Sequence, residues 1–361
     1  MADLFTPLNI GNIVLQNRII MAPLTRSRSG KSRVPNELNI EYYTQRASAG
    51  LIISEGTQIS EMGIGYMDTP GIHTQEQITG WRKVTESVHQ KGGKIFCQLW
   101  HVGRVSHPSF LNGDLPLAPS VISAGGQIRT IDGLQDKSTP RELTKDEIYE
   151  IVEQYKQAAI NSIEAGFDGI ELHGANGYLI DQFICDGSNQ RTDEFGGTIV
   201  NRARFLELVL KAVCSAIGNE RVGIRLSPSG LINGMYDSTV VRTFTYVINM
   251  LNDYNLAYLH ILEPYLIIPE GEHKEYLRKP SAYYRYIYKG TLIANSGYTF
   301  ETGNEAVINN QADAISFGKL FISNPDLVSK FRNNLPLNEY NPKTFYSPGP
   351  EGYTDYPFAE S

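Results

Sequence analysis

The chain has few of the features that mark secreted, metal-binding or nucleic-acid-binding proteins. Its 361 residues include three cysteines, Cys97, Cys185 and Cys214, whose odd number and wide spacing fit neither a disulfide framework nor a zinc site. The formal net charge is −7, which argues against a surface that binds nucleic acid. We therefore expect reduced cysteines, no bound metal and no nucleic-acid partner.

Long apolar segments are also missing. No uninterrupted apolar run approaches the roughly 20 residues that a helix needs to cross a bilayer. The N-terminal sequence MADLFTPLNI lacks the basic region and apolar stretch of a signal peptide. These absences predict a cytoplasmic protein that does not associate with a membrane.

Short strand-like runs alternate with longer helical patterns along the chain, which is typical of βα units and a parallel sheet. The candidate strands are Arg18–Ala22, Leu51–Ser54, Lys94–Leu99, Gly169–Leu172, Val222–Leu226, Tyr258–Leu262, Leu292–Asn295 and Ala314–Phe317. Helical patterns include Thr74–Gln90, Thr144–Glu164, Asn201–Ala216 and Ser238–Tyr254.

Eight such alternations predict an α/β fold of the (β/α)8 TIM-barrel type, in which active-site groups lie at the C-terminal ends of the strands. An open doubly wound sheet is the main alternative, but it would carry a G-x-G-x-x-G turn after an early strand, and none occurs there. We predict a single barrel domain over residues 1–361.

Two segments exceed a minimal barrel. Residues 100–143, rich in Gly, Pro and Ser, form a long excursion after strand three and are interpreted as a lid or capping segment. The tail from Asn341 is polar, aromatic and rich in Pro and Gly, so it either covers the barrel mouth or hangs loose.

The end of strand four carries an unusual group of polar residues. The apolar run Gly169–Leu172 breaks into the turn HGANGY, which places His173, Asn176 and Tyr178 within six positions. Two neutral hydrogen-bonding groups and a phenol can grip a substrate oxygen and deliver a proton. Taken singly, these residues are more simply a turn histidine, an Asx turn and a packing tyrosine.

Other predicted strands also end in residues suited to a ligand. The last two strands are followed by glycines and a lysine, at the usual phosphate site of this architecture, where backbone amides and a cation can hold a dianion. The strand-end candidates are Pro23, Leu24, Thr25, Gly56, Gln98, Arg225, Gly297, Gly318 and Lys319.

The HGANGY turn, the loop SNQRTDEFGG at 188–197 and the segments 18–28 and 313–328 resemble the old yellow enzyme family of FMN-dependent ene-reductases. The resemblance extends over about residues 3–357. It implies that the strand-end candidates bind FMN, with Thr25 at flavin O4, Gly56 near the isoalloxazine edge and Gln98 at the pyrimidine. Arg225 would face N1 and O2. The family usually has arginine where this chain has Lys319, so we expect weaker FMN retention.

The resemblance also implies a reaction. NADPH or NADH would reduce the flavin, and flavin N5 would then give hydride to an alkene activated by a carbonyl or nitro group, with ping-pong kinetics. His173 and Asn176 would hold the activating oxygen and Tyr178 would protonate the α carbon. Further candidates for the substrate cavity are Tyr66, Trp100 and Tyr346.

Two alternatives stay open at this point. The phosphate site could serve a metal-free barrel lyase or isomerase, although no Schiff-base lysine or carboxylate is convincingly placed at a strand end. A non-catalytic flavin-binding protein is the other. We expect small-molecule partners, and the chain to be a monomer or a small homo-oligomer.

Overall fold

The computed structural model describes residues 2–264 and 278–359, and its centre is a closed barrel of eight parallel strands. The predicted fold class and all eight predicted strands are confirmed, with bounds that shift by no more than two residues. The strands are β1 (Ile19–Met21), β2 (Leu51–Ile53), β3 (Ile95–Trp100), β4 (Gly169–Gly174), β5 (Val222–Leu226), β6 (Tyr258–Leu262), β7 (Leu292–Asn295) and β8 (Ala314–Phe317).

Hydrogen bonding between sequence-distant strands closes the barrel. Strand β8 pairs with β1, with Ile315 opposite Ile19, and β3 pairs with β4 on the other side. Every residue of the eight strands is buried, as expected for parallel strands covered on both faces, which read as continuous apolar runs. Strand β4 continues to Gly174, past the predicted end at Leu172, so His173 belongs to the strand.

Helices surround the barrel and follow the predicted pattern. Helix α3 begins where predicted, because Thr144 and Glu147 form a capping box: the Glu147 carboxylate accepts from the Thr144 N–H at 2.8 Å. The pattern after β5 forms a shorter helix than Ser238–Tyr254. The helices of the described part are α1 (Glu37–Gln45), α2 (Gln75–Gln90), α3 (Lys145–Glu164), α4 (Leu179–Ile184), α5 (Ile199–Ile217), α6 (Val240–Leu251), α7 (Pro280–Tyr284), α8 (Phe300–Ile308), α9 (Lys319–Ser323) and α10 (Leu327–Arg332).

The N-terminal end of the barrel is sealed by apolar side chains. A hairpin of Leu8–Ile10 with Ile13–Leu15 contributes Ile10 and Leu15 to a buried cluster that also contains Phe96 from β3. The main core lies between the strands and the helices. Because this end is filled, the part of the barrel that the structure describes leaves room for a ligand at the C-terminal ends of the strands.

The excursion at 100–143 is an ordered structure at the C-terminal side of β3. It contains an antiparallel hairpin of Gln127–Thr130 with Gly133–Asp136, and Leu117–Ala118 in its middle pairs with Arg141–Glu142 near its C-terminal end. Its function as a lid stays a prediction.

The C-terminal tail is bound to the loop after β1, so the loose alternative is wrong. The buried Arg28 guanidinium donates to the carbonyl oxygens of Thr344 and Phe345, both at 2.8 Å. Tyr353 stacks on Tyr42 with ring centroids 4.1 Å apart. These contacts hold the tail at the barrel mouth. If the tail detached, the Arg28 N–H groups and the tail carbonyls would lose their hydrogen-bond partners.

We predict that Arg28→Ala lowers the free energy of unfolding by about 3 kcal/mol, because the buried carbonyls of Arg26 and Thr344 lose their donor. Arg82→Ala is the control, since Arg82 forms an exposed pair with Glu164 and should change stability by less than about 1 kcal/mol. Urea denaturation measures both. Equal stability of the two variants would contradict the assigned role of Arg28.

Candidate active site

A cavity of about 960 Å³ opens at the C-terminal ends of the strands. This volume suits a ligand of cofactor size, since such sites span roughly 300–1,000 Å³. Nine of the residues singled out in the sequence line it: Pro23, Leu24, Thr25, Asn176, Arg225, Gly297, Gly318, Lys319 and Tyr346. The other six, which lie outside this lining, are Gly56, Tyr66, Gln98, Trp100, His173 and Tyr178.

A chain of buried hydrogen bonds crosses the barrel beneath the strand ends. Gln98 Nε2 donates to Glu171 Oε1 at 2.8 Å, and Glu171 Oε2 lies 2.8 Å from His260 Nδ1. His260 Nε2 lies 2.7 Å from Ser316 Oγ. Burial lowers the pKa of His260, although Glu171 opposes the shift. The chain fixes the Gln98 amide with its nitrogen toward Glu171.

The sequence interpretation missed three members of this chain, Glu171, His260 and Ser316. The signal was present, because each is a polar residue inside an apolar strand run: GIELH, YLHIL and AISF. A buried polar side chain in a strand needs a partner, and the partner comes from a neighbouring strand only after the barrel closes.

The turn after β4 adopts a backbone that few residues tolerate. Asn176 and Gly177 both have positive φ, 61° and 75°, in the left-handed region where asparagine and glycine are favoured. The Asn176 N–H donates to Ser227 Oγ and the Gly177 N–H to Asp181 Oδ2, both at 2.9 Å. The sequence Asn-Gly therefore fits this turn, which presents the Asn176 side chain to the cavity.

Four rings from three separate segments of the sequence form one cluster. The hydroxyl oxygens of Tyr66 and Tyr178 are 3.0 Å apart. Trp100 stacks against Tyr66 with ring centroids 5.3 Å apart and meets Tyr178 edge-on at 5.0 Å. The His173 ring lies 4.9 Å from that of Tyr178. The imidazole and the phenol therefore share one wall.

Burial sets the charge state of this wall. Burial, assisted by Arg225, lowers the pKa of His173 well below its usual range. Burial, assisted by Tyr66, raises the pKa of Tyr178 well above its usual range. Near neutral pH the imidazole is thus uncharged and the phenol protonated. The imidazole can then act as a neutral hydrogen-bond donor, and the phenol has a proton to give.

Several buried polar atoms at these strand ends lack a partner. Among the residues that the structure describes, none forms a hydrogen bond with His173 Nδ1, Asn176 Oδ1, Trp100 Nε1 or Arg225 Nε. Buried polar atoms are normally paired, and a ligand bound at the strand ends would supply partners that the chain does not. The donor set fits FMN: a hydroxyl at Thr25, a guanidinium at Arg225 and an exposed ammonium at Lys319 around one cavity.

Gly56 has a packing role in addition to the one expected of it. A Cβ atom at Gly56 would lie 2.5 Å from Trp100 Cε3, so the indole occupies the space that any other side chain would need. Its approach to a flavin ring stays a prediction, as do the individual roles of the other site residues.

Neither a metal site nor a membrane span is present in residues 2–264 and 278–359. No three His, Cys, Asp or Glu side chains are grouped there to hold a metal ion. No helix there is long and apolar enough to cross a bilayer.

Comparison with known proteins agrees with the fold. The model of the NADH:flavin oxidoreductase / NADH oxidase family matches residues 3–338. The barrel with this site therefore defines a flavin-dependent oxidoreductase, an enzyme class that uses FMN and a nicotinamide reductant.

Individual relatives match along almost their whole length. The chain is 49% identical to 12-oxophytodienoate reductase 7 of Oryza sativa subsp. japonica, covering 99% of this chain and 95% of that protein. It is 47% identical to the flavin oxidoreductase hxnT of Emericella nidulans, covering 99% and 98%.

Solved structures give the same result. Morphinone reductase superposes with a TM-score of 0.94 at 47% identity, covering 99% of this chain and 96% of that chain. The old yellow enzyme homologue from Zymomonas mobilis superposes with a TM-score of 0.94 at 44% identity, covering 98% and 99%. The chain belongs to the old yellow enzyme family. Neither the lyase or isomerase alternative nor the non-catalytic one is favoured by these matches.

We predict that Gly56→Ala displaces the Trp100 indole and destabilises the protein by about 1–3 kcal/mol, as overpacking does. Near-ultraviolet circular dichroism should report the ring movement and urea denaturation the stability. Gly303→Ala, within helix α8, is the matched control, because the added Cβ would lie 3.3 Å from Phe317 Cζ. It should change stability by less than about 1 kcal/mol. An unchanged Trp100 signal in Gly56→Ala would refute the packing assignment.

Proposed function

We propose that this protein is an FMN-dependent, NAD(P)H-consuming ene-reductase that reduces the C=C bond of small alkenes activated by a carbonyl or nitro group. The observation that carries the proposal is the wall of His173, Asn176 and Tyr178. The neutral imidazole of His173 and the protonated phenol of Tyr178 lie side by side, with ring centroids 4.9 Å apart. Asn176 follows on the same turn and lines the cavity. His173 Nδ1 is buried without a partner and can carry the N–H that a substrate oxygen accepts. The relatives' names, 12-oxophytodienoate reductase and morphinone reductase, denote reductases of ketone-bearing compounds.

FMN would be held by the groups that line the cavity. The Thr25 hydroxyl and the Arg225 guanidinium suit the polar edge of the isoalloxazine, where Arg225 opposes negative charge that accumulates on reduction. Arg225 is itself held in place, since its Nη2 donates to Asn295 Oδ1 at 2.5 Å. When bound, FMN supplies the hydride chemistry, accepting hydride from the nicotinamide and passing it to the β carbon of the alkene.

Gly297, Gly318 and Lys319 would hold the FMN phosphate at the ends of β7 and β8. The Lys319 ammonium lies 5.5 Å from the ring centroid of Tyr340, which steadies the side chain at the cavity edge. A lysine supplies charge without the two-pronged geometry of arginine. Weaker FMN retention is therefore part of the proposal.

His173 and Asn176 would bind the activating oxygen of the substrate. Because burial lowers the pKa of His173, its imidazole carries one N–H and no charge, so it can donate to a carbonyl or nitro oxygen without protonating it. The amide of Asn176 would offer a second hydrogen bond from the turn that follows β4. Two such donors withdraw electrons from the conjugated double bond and prepare its β carbon for hydride.

Tyr178 would deliver the proton to the α carbon. Its hydroxyl is 3.0 Å from that of Tyr66, so Tyr66 can donate to the Tyr178 oxygen and leave the Tyr178 hydrogen free to face the substrate. Tyr66, Trp100 and Tyr346 would shape the substrate cavity around it. We further propose that the reductant is NADPH or NADH and that the protein is cytoplasmic, where its three free cysteines would remain reduced.

Tyr178→Phe tests the assignment of the acid. We expect flavin reduction by NADPH to proceed at the wild-type rate, because no protein proton is needed there. Reduction of 2-cyclohexenone by the reduced enzyme should slow by about 100-fold or more, the usual contribution of a general acid. Anaerobic stopped-flow absorbance measures the two half-reactions separately. Equal slowing of both would contradict the assignment.

The pH dependence provides a second test. Tyr178 acts in its protonated form, and its pKa lies well above the usual 10.0 mainly because of burial. The acid therefore stays protonated throughout the range below about pH 9.5. Alkene reduction should show no loss from tyrosine ionisation between about pH 6 and about pH 9.5. A decline with a midpoint in that range, absent from Tyr178→Phe, would show that the phenol ionises too early.

A further inference from the structure

The backbone of the turn that carries Asn176 is held by side chains from other parts of the chain. Besides the bonds to Ser227 and Asp181, the Gly177 carbonyl accepts from Gln182 Nε2 at 2.8 Å. The Asn176 carbonyl accepts from Asn233 Nδ2, also at 2.8 Å. Asn233 lies 57 residues away, in the loop after β5, so this bond is a long-range constraint on the turn.

Asn233 is also bound to both ends of the 100–143 excursion. Its Oδ1 accepts from Lys137 Nζ at 2.9 Å, and its backbone carbonyl accepts from Arg104 Nη2 at 3.2 Å. Lys137 directly follows the hairpin strand Gly133–Asp136, and Arg104 lies near the start of the excursion. One asparagine therefore connects the excursion to the turn.

The charge of Lys137 strengthens the hydrogen bond that Asn233 donates to Asn176. The ammonium of Lys137 withdraws electrons from the Asn233 amide, because a hydrogen bond from a charged donor is stronger than a neutral one. The amide N–H then becomes a better donor to the Asn176 carbonyl, as bonded chains polarise one another. Asn233 has a φ of 60°, a conformation that asparagine tolerates better than most residues.

The Asn176 side chain depends on this support. Its Oδ1 is one of the buried atoms without a protein partner, so no hydrogen bond at that oxygen fixes the amide, and its direction depends on the backbone conformation. Since the backbone is in the left-handed region, loss of a bond at the Asn176 carbonyl frees the turn to relax toward a common conformation.

We infer that Asn233 is a positioning residue, which links the 100–143 excursion through Lys137 to the Asn176 carbonyl and thereby sets how tightly the site grips a substrate oxygen. The inference rests on the proposed function for the role of Asn176. It makes the excursion a determinant of substrate affinity through a defined chain of bonds.

Four variants separate the links of this chain of hydrogen bonds. Asn233→Asp retains an acceptor for Lys137 but can no longer donate to Asn176. Asn233→Gly tolerates the positive φ and removes both side-chain bonds. Lys137→Met removes the excursion link alone, and Lys137→Arg should restore it. Gln127→Met is the matched control, since Gln127 bonds Asp136 on the exposed face of the same hairpin.

The readouts are the dissociation constant for phenol, followed by the flavin absorbance of the holoenzyme, and amide hydrogen exchange of the 174–180 segment. We expect phenol binding to weaken about tenfold in Asn233→Asp and Asn233→Gly, which both lose the donor to the Asn176 carbonyl, and about threefold in Lys137→Met, corresponding to one hydrogen bond or less. Exchange of 174–180 should accelerate in the same order. Lys137→Arg and Gln127→Met should match the wild type, and all variants should retain FMN equally.

Wild-type phenol affinity together with wild-type exchange in Asn233→Asp would overturn the inference. An equal effect of Gln127→Met would also overturn it, because the hairpin would then act without the Asn233 link. If the wild-type holoenzyme itself does not bind phenol, the proposed function fails. Hydrogen exchange of 174–180 then still decides whether Asn233 supports the turn.

Discussion

The pairing of the last barrel strand with the first is the constraint on which the site depends. Phe317 pairs with Met21 although almost the whole chain separates them, and this closure directs the C-terminal ends of all eight strands toward one opening. Thr25 after β1 and Lys319 after β8 line the same cavity for this reason. With the opposite end filled by apolar side chains, the barrel has a single mouth at which cofactor and substrate must meet.

Within that mouth, one physical effect produces two complementary charge states. Removal from water disfavours the charged form of any group, so it keeps His173 unprotonated and Tyr178 protonated. An imidazolium would repel the nearby Arg225, and a tyrosinate could not act as an acid. The aromatic cluster around Trp100 therefore does more than shape the cavity, because it creates the dry environment that makes a neutral donor and a neutral acid available together.

Local sequence pattern predicted the fold and nine residues that line the cavity, because strands and the residues directly after them are recognisable in short segments. Continuous apolar runs marked the strands, and polar residues directly after them marked the mouth. Contacts between distant segments were not predictable. Tyr66 meets Tyr178 across 112 positions and Glu171 meets His260 across 89, and no local spacing encodes either pairing. The attachment of the C-terminal tail through Arg28 was unpredictable for the same reason, since it joins segments that are distant in the sequence.

The anaerobic visible spectrum of the purified protein tests the central claim most directly. The account predicts the bands of oxidised flavin, their bleaching on addition of NADPH or NADH, and their return when 2-cyclohexenone is added without oxygen. These three spectral changes together would show that cofactor, reductant and alkene react at one site. A colourless protein that takes up no added FMN would contradict the account, and so would a flavin that bleaches with the nicotinamide but stays reduced in the presence of the enone.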